Sequence, residues 1–200
     1  MTELTTLANT TPAIRGMIAD FKVLLDSCVL ANFGVCDIYL RLAEHPRLIL
    51  PKWTDDILGE VYRTQTDKLN WNKNLADSFH IAVRNAFPEA MITGYEALIS
   101  VMTNHEKDRH VLAAAVKEKL DIIITFNLKD FEMQHLEKWG VKAVHPDAYL
   151  TTLFEINPTV VLSRISDISR KRKLDMESVI IDLGKTLPGF SDRLLESMGR

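Results

Sequence analysis

The sequence predicts an α/β fold, in which a parallel sheet of about four to five strands is flanked by helices. Short, mainly apolar segments alternate along the chain with longer segments of helical periodicity. Strands without polar alternation are typical of parallel sheets that are covered on both faces. After residue 149 only helical patterns follow, which predicts a helical C-terminal extension.

The elements of the sheet region are predicted from apolar periodicity and from capping residues. Strands are predicted at 21–25, 48–50, 91–93, 122–125 and 141–144, and helices at 30–44, 54–68, 77–87, 95–102, 108–119 and 131–139. Thr54 is a good N-cap, and Asp55 and Asp56 after it suit the positive end of a helix. Pro51 is expected to end the second strand, and Pro88 to end the helix before it.

The chain is expected to divide into a lead-in at 1–20, an α/β domain at 21–149 and a helical extension at 150–200. Asn157 before a proline predicts a helix start. Asp175 and Ser191 are predicted caps of two further helices. About fifty residues are too few for a comfortable core of their own, so part of the extension should pack on the α/β domain. The apolar residues concerned are Val160, Val161, Ile165, Ile168, Leu174, Val179, Ile180 and Leu183.

Composition limits the classes of protein to consider. The chain has 200 residues, 46% of them hydrophobic, and a net charge of −3, so binding of a polyanion would need a local basic patch. The two cysteines, Cys28 and Cys36, have no zinc-type spacing and are predicted to be free thiols. The first twenty residues do not resemble a secretory signal, and no segment reaches the ~18 apolar residues of a membrane span, which predicts a cytoplasmic protein without membrane contact.

Four acidic residues stand where strands give way to helices or on the helices that follow. Asp26 follows the first apolar strand, Asn127 and Asp130 follow another, and Glu60 and Asp108 lie on predicted helices. In an open α/β sheet, ligands bind at the carboxyl ends of the strands, where these side chains can converge. Oxygen ligands around an open position are typical of Mg²⁺ or Mn²⁺ sites that serve phosphate chemistry.

Each acid also has a structural interpretation. Asp26 and Asp108 can be N-caps, Glu60 can be a solvated helix residue, and the turn from Asn127 to Asp130 can be an Asx-type turn. A cap and a metal ligand are compatible, because one carboxylate has about four lone-pair sites.

Several residues beside the acids are candidates for substrate binding. Ser27, Arg109 and Lys129 flank the acidic positions, and Lys107 lies next to Asp108. The six histidines show no metal-ligand spacing, and the sequence contains no P-loop, no nucleophile elbow and no dinucleotide-binding glycine motif.

In order and spacing, the four acidic segments resemble those of the PIN domain, the fold of the VapC-type toxin ribonucleases of bacterial toxin–antitoxin pairs. The resemblance covers about residues 21–147. Its segments are LLDSCVL at 24–30, ILGEV at 57–61, DRHVLAAA at 108–115 and IITFNLKDF at 123–131.

The resemblance implies a metal-dependent endoribonuclease that hydrolyses RNA phosphodiester bonds. It implies Asp26, Glu60, Asp108 and Asp130 as catalytic residues, and these together with Asn127 as ligands of Mg²⁺ or Mn²⁺. Many relatives have aspartate where Asn127 stands, so the fourth ligand role falls on Asn127, on Asp130, or on both. The implied partners are an RNA substrate and a cognate antitoxin protein, with a homodimer as a further option.

Two other functions remain open from the sequence. One is a non-catalytic module of the same fold that binds RNA or protein. The other is a phosphoacceptor receiver domain, which usually has an acidic pair after its first strand, whereas Asp26 stands alone there. Metal-dependent cleavage of RNA that a chelator blocks would separate the nuclease from both.

Overall fold

The chain is built on a parallel sheet. A computed structural model describes residues 21–199, and within that range the sheet has four strands in the order β2-β1-β3-β4, all parallel. The strands are β1 (Phe21–Leu25), β2 (Ile49–Lys52), β3 (Ile122–Ile124) and β4 (Lys142–Val144). The strand order reverses between β1 and β3, so the carboxyl ends of these two strands form the crevice where open α/β sheets bind ligands. The predicted fold class is confirmed.

Helices surround this sheet and continue beyond it. They are α1 (Ser27–Ala31), α2 (Phe33–Leu42), α3 (Asp55–Arg63), α4 (Lys73–Ala86), α5 (Arg109–Glu118), α6 (Met133–Leu136), α7 (Pro146–Ile156), α8 (Pro158–Arg172), α9 (Met176–Gly184) and α10 (Pro188–Ser197). Short 3-10 turns cover Pro88–Ala90, Glu96–Val101, Glu106–Asp108, Leu128–Asp130 and Glu137–Trp139, and one π-helical turn covers Thr64–Lys68.

Three predicted elements near the sheet differ from the structure. The predicted helix 30–44 is two helices, because Asn32 leaves the helical conformation and caps α2 by accepting from the Val35 amide. Pro51 lies inside β2 and pairs with Val23, which is tolerated because β2 is an edge strand. The predicted strand 91–93 is reduced to a single bridge between Met91 and Trp53.

The helix boundaries also need correction at several points. The helix α4 begins at Lys73 rather than Asp77, because the Asn72 side chain accepts from the Leu75 amide. The predicted helices 95–102 and 131–139 are short 3-10 and α-helical turns. Ser191 is not a cap: it lies buried within α10, and its hydroxyl donates to the Ile180 carbonyl. Thr54, Asn157 and Asp175 do cap their helices as predicted.

The core sits around β1 and the helix that crosses it. Val23, Leu24 and Leu25 of β1 are fully buried. The alanines at 113–115 of α5 are fully buried as well, and their small side chains allow this helix to approach the sheet closely. The N-terminus of α5, where Asp108 stands, is thereby positioned beside the carboxyl ends of β1 and β3.

The C-terminal helices share this core. Within the predicted apolar set, Val161, Ile165, Ile168, Val179, Ile180 and Leu183 are buried, Val160 is partly buried and Leu174 is exposed. Arg164 of α8 donates to the carbonyl oxygens of Glu44 and Pro46 at 3.0 and 3.2 Å. The expected boundary between residues 149 and 150 falls inside α7, so no break in structure separates the extension from the sheet region. The predicted lead-in at 1–20 lies outside the described residues.

The two cysteines, Cys28 and Cys36, are both free thiols, as predicted.

Within residues 21–199, no helix is long and apolar enough to cross a bilayer.

Candidate metal centre

Asp26 follows β1 and lies in the crevice between β1 and β3. Its Oδ1 accepts from the Ser27 amide at 2.6 Å, so it caps α1. Its Oδ2 accepts from the Thr125 hydroxyl at 2.7 Å and from the Cys28 thiol at 3.1 Å. The side chain is almost completely buried. Asp26 therefore combines the predicted cap with a carboxylate held rigidly at the end of the strand.

The Cys28 thiol is a donor in this arrangement. Burial, together with the charge of Asp26, raises the pKa of Cys28 to about 12. The sulfur consequently keeps its proton at neutral pH and donates it to Asp26, which argues against a cysteine nucleophile.

Thr125 connects the two strand ends. It is fully buried directly after β3, donates to Asp26, and accepts from the Asn127 amide at 3.0 Å. One hydroxyl thus fixes the carboxylate after β1 and the turn after β3. The contact with Asp26 joins residues 99 positions apart in sequence.

We expect Thr125→Val to lower the free energy of unfolding by about 2 kcal/mol or more, because a hydrogen bond to a buried charged group contributes roughly 1.5–3 kcal/mol. The valine would also leave the Asn127 amide without its acceptor. Urea unfolding followed by circular dichroism measures the change. Thr125→Ser is the matched control: it keeps the oxygen and should lose clearly less stability. A loss in Thr125→Ser that equals or exceeds the loss in Thr125→Val would show that the methyl group matters at least as much as the hydroxyl at this position.

Glu60 reaches the crevice from α3 and is paired with α5. Its Oε1 lies 3.1 Å from Nε2 of His110, a residue fifty positions later in the sequence. Burial opposes ionisation of Glu60, but hydrogen bonds from His110 and Ser27 and the charge of Arg63 outweigh it, and the pKa of Glu60 is lowered. Burial would lower the pKa of His110, yet Glu60 raises it. The pair keeps Glu60 ionised and oriented.

Asp108 stands at the N-cap position of α5, but its side chain makes no capping hydrogen bond. Instead its Oδ2 lies 3.1 Å from Nδ1 of His105, and the carboxylate lines an open cleft. Burial, followed by the negative charges of Asp26 and Asp130, raises the pKa of Asp108 despite the opposing effect of His105. Carboxylates gathered in this way favour binding of a cation.

Asn127 and Asp130 occupy one turn after β3. The Asn127 side-chain amide donates to Oδ2 of Asp130, and the Asp130 backbone amide donates to the Asn127 carbonyl at 3.1 Å. The carboxylate of Asp130 lies in a cluster with Asp108 and His105, in which the ligand atoms are all within 4.8 Å of one another. The Asp130 carboxylate therefore faces Asp108 and His105, and the Asn127 side chain is hydrogen-bonded to it.

Glu60, Asp108, Asn127 and Asp130 border a cleft of about 770 Å³, whereas Asp26 does not line it. The walls of the cleft carry acidic and cationic side chains: Glu60, Asp67, Asp108 and Asp130, and Arg63, Lys68, Lys107 and Lys129. Of the predicted substrate-binding residues, Ser27 and Lys129 line the cleft. Arg109 is not among the lining residues, because its Nε donates to the Asn104 carbonyl at 3.3 Å.

Several residues of this site are not predicted from the sequence. The spacing of the histidines singles out neither His105 nor His110 as a ligand, and Thr125 is predicted only as the end of a strand. His110 follows Asp108 by two residues, and that proximity was the available signal. Arg63 and Lys68 line the cleft because α3 and its π-helical turn border it, and local sequence patterns do not predict that placement.

The donor set fits a hard divalent cation. The residues offer several carboxylate oxygens around an open cleft, which is the ligand type that Mg²⁺ and Mn²⁺ prefer. Burial first, and then the negative charges of Asp26 and Asp130, raise the pKa of Asp108, and a bound cation would balance those charges. Ligand atoms of Asp108 and Asp130 lie within 4.8 Å of each other, and Glu60 faces the same cleft from α3.

The chain is similar in sequence to a known protein. The chain is 38% identical over 110 residues to a protein of Mycobacterium tuberculosis named putative ribonuclease VapC50. The match covers 54% of this chain and 65% of the relative, so the chain spans less than two thirds of that protein's length. No family model and no solved structure matches the chain. This similarity confirms the resemblance to VapC-type ribonucleases that the four acidic segments predict.

Proposed function

From its relationship to the VapC-type PIN-domain family, we propose that this chain is a metal-dependent endoribonuclease that hydrolyses RNA phosphodiester bonds. The observation that carries the proposal is the cleft at the crevice between β1 and β3, where acids and cations stand side by side. RNA as the substrate is inferred from the name of the relative.

The acids would hold the cation. Asp108 and Asp130 have ligand atoms within 4.8 Å of each other, and Glu60 would join them from α3. Asp26 would contribute its negative charge without binding the cation directly, because its oxygens already accept hydrogen bonds from Ser27, Cys28 and Thr125. When bound, Mg²⁺ or Mn²⁺ supplies neutralisation of the phosphate charge and a lower pKa for attacking water.

The cations of the cleft would position the RNA backbone. Lys107 and Lys129 flank the acids, and Arg63 and Lys68 extend the positive charge along α3 and its π-helical turn. Phosphate contacts of this kind hold the strand without reading its sequence. Since the whole chain carries a net charge of −3, this local patch is what would attract a polyanion.

The purified chain, first treated with EDTA, should cleave a labelled single-stranded RNA when Mg²⁺ or Mn²⁺ is added. Cleavage should stop when EDTA is returned in excess. Sequencing of the product ends would define the cut sites. RNA that is bound in a gel-shift assay but never cut with either ion would instead indicate a binding module of the same fold.

The relative's name also supports a biological role, and we propose that the chain is the toxin of a toxin–antitoxin pair with a cognate antitoxin protein. Induced expression should arrest growth, and co-expression of the protein encoded beside it should restore growth. Growth arrest that persists in a variant without cleavage activity would argue against this role.

A further inference from the structure

His105 adds a nitrogen atom to the oxygen cluster of the cleft. Its ring lies against Asp108, with 3.1 Å between Nδ1 and Oδ2. Its backbone amide donates to the Asp130 carbonyl at 3.4 Å, and its own carbonyl accepts from the Asp108 amide at 2.9 Å. These backbone hydrogen bonds fix the main chain of His105 beside both acids, and the contact with Asp108 orients the ring.

The spacing of these groups suits coordination of a single ion. One ring nitrogen of His105 and one oxygen each of Asp108 and Asp130 lie within 4.8 Å of one another. Neighbouring ligands of an octahedral ion with bonds of about 2.1 Å are roughly 3 Å apart, which is close to the 3.1 Å between the His105 and Asp108 atoms. The side chain of His105 is half exposed and lines the cleft, so an ion has access to it.

We propose that His105 is a metal ligand together with Asp108 and Asp130, and that its nitrogen makes this centre prefer a first-row transition-metal dication over Mg²⁺. The proposal rests on the proposed metal-dependent function. Imidazole binds the later transition metals well, whereas Mg²⁺ takes oxygen ligands. If carboxylates alone bound the ion, changing His105 would leave the affinity for Mg²⁺ intact. It would also not weaken the binding of the softer ions selectively.

The test measures binding rather than activity. Calorimetric titrations of the EDTA-treated chain with Co²⁺, Mn²⁺ and Mg²⁺ should give the tightest binding for Co²⁺. His105→Gln keeps an amide donor for Asp108 but removes the imidazole, and it should weaken Co²⁺ binding by at least about tenfold while changing Mg²⁺ binding much less. His105→Ala should show the same selective loss, and the visible spectrum of bound Co²⁺ should change in both variants.

His135→Ala is the matched control, because that ring contacts Thr103 and does not line the cleft. It should bind all three ions like the parent. Equal weakening of Co²⁺ and Mg²⁺ in His105→Gln, or no weakening of either, would overturn the proposed ligand role and leave the metal-dependent function standing. Failure of the parent chain to bind any of the ions would overturn the metal-dependent function itself.

Discussion

Asp108→Asn is expected to reduce metal-dependent RNA cleavage by about two orders of magnitude or more while leaving the fold intact. The amide keeps the volume of the side chain but removes the charge that faces the cleft. Metal-ion catalysis contributes several kcal/mol to a reaction barrier, and each ~1.4 kcal/mol corresponds to a factor of ten in rate. Because Asp108 makes no capping hydrogen bond, α5 does not depend on its carboxylate.

Glu106→Gln is the control for this change. Glu106 lies in the same 3-10 turn, is exposed, and is not among the residues that line the cleft, so the same loss of charge should leave cleavage near the parental rate. Cleavage of a labelled RNA under single-turnover conditions compares the two variants. An Asp108→Asn protein that cuts at the rate of Glu106→Gln would show that Asp108 does not belong to the catalytic site.

The same variant should also report on charge repulsion in the absence of metal. Burial and the charges of Asp26 and Asp130 raise the pKa of Asp108, so its ionised form destabilises the folded state. In EDTA at neutral pH, Asp108→Asn should therefore melt at or above the temperature of the parent. The advantage should shrink as the pH falls through the raised folded-state pKa and be absent below the ordinary value of 3.8. Added Mg²⁺ or Mn²⁺ should raise the melting temperature of the parent more than that of the variant.

Deletion of residues 158–200 is expected to abolish cooperative folding. The deleted helices contribute buried side chains to the one core, among them Val161, Ile165 and Ile168 of α8. A single large-to-small change at a buried site costs about 2–5 kcal/mol, and a whole domain is stable by only about 5–15 kcal/mol. The deletion also removes Arg164, which satisfies the carbonyl oxygens of Glu44 and Pro46.

A shorter truncation serves as the control. Removal of residues 198–200 leaves α10 and its buried Leu194 in place, and it should preserve a cooperative thermal transition and a monodisperse elution profile. The long deletion should aggregate or unfold without a transition. A soluble and cooperatively folded product of residues 1–157 would show instead that the C-terminal helices form an independent unit.

Local patterns were sufficient to predict most of the elements and the identity of the acids. Short, mainly apolar segments predict β1 and β3. Thr54, Asn157 and Asp175 are predictable as caps because a cap depends only on residues up to three positions away. Asp26 was found because a carboxylate directly after a buried strand stands at the ligand-binding edge of a parallel sheet. Local patterns were insufficient where the chain changes conformation within one apolar stretch, as at Asn32.

The pairing of side chains across the site was decided by the tertiary structure. Thr125 reaches Asp26 across 99 positions only because β3 is adjacent to β1, and His110 reaches Glu60 across fifty only because α5 lies beside α3 in the crevice. Arg109, by contrast, donates to a neighbouring carbonyl and does not line the cleft. The sequence by itself determined the four strands of the sheet, the caps at Thr54, Asn157 and Asp175, and the identity of the acids, since each depends on local conformation and burial. Strand order and helix placement follow from packing of the whole core. They decided which other polar side chains lie beside those acids.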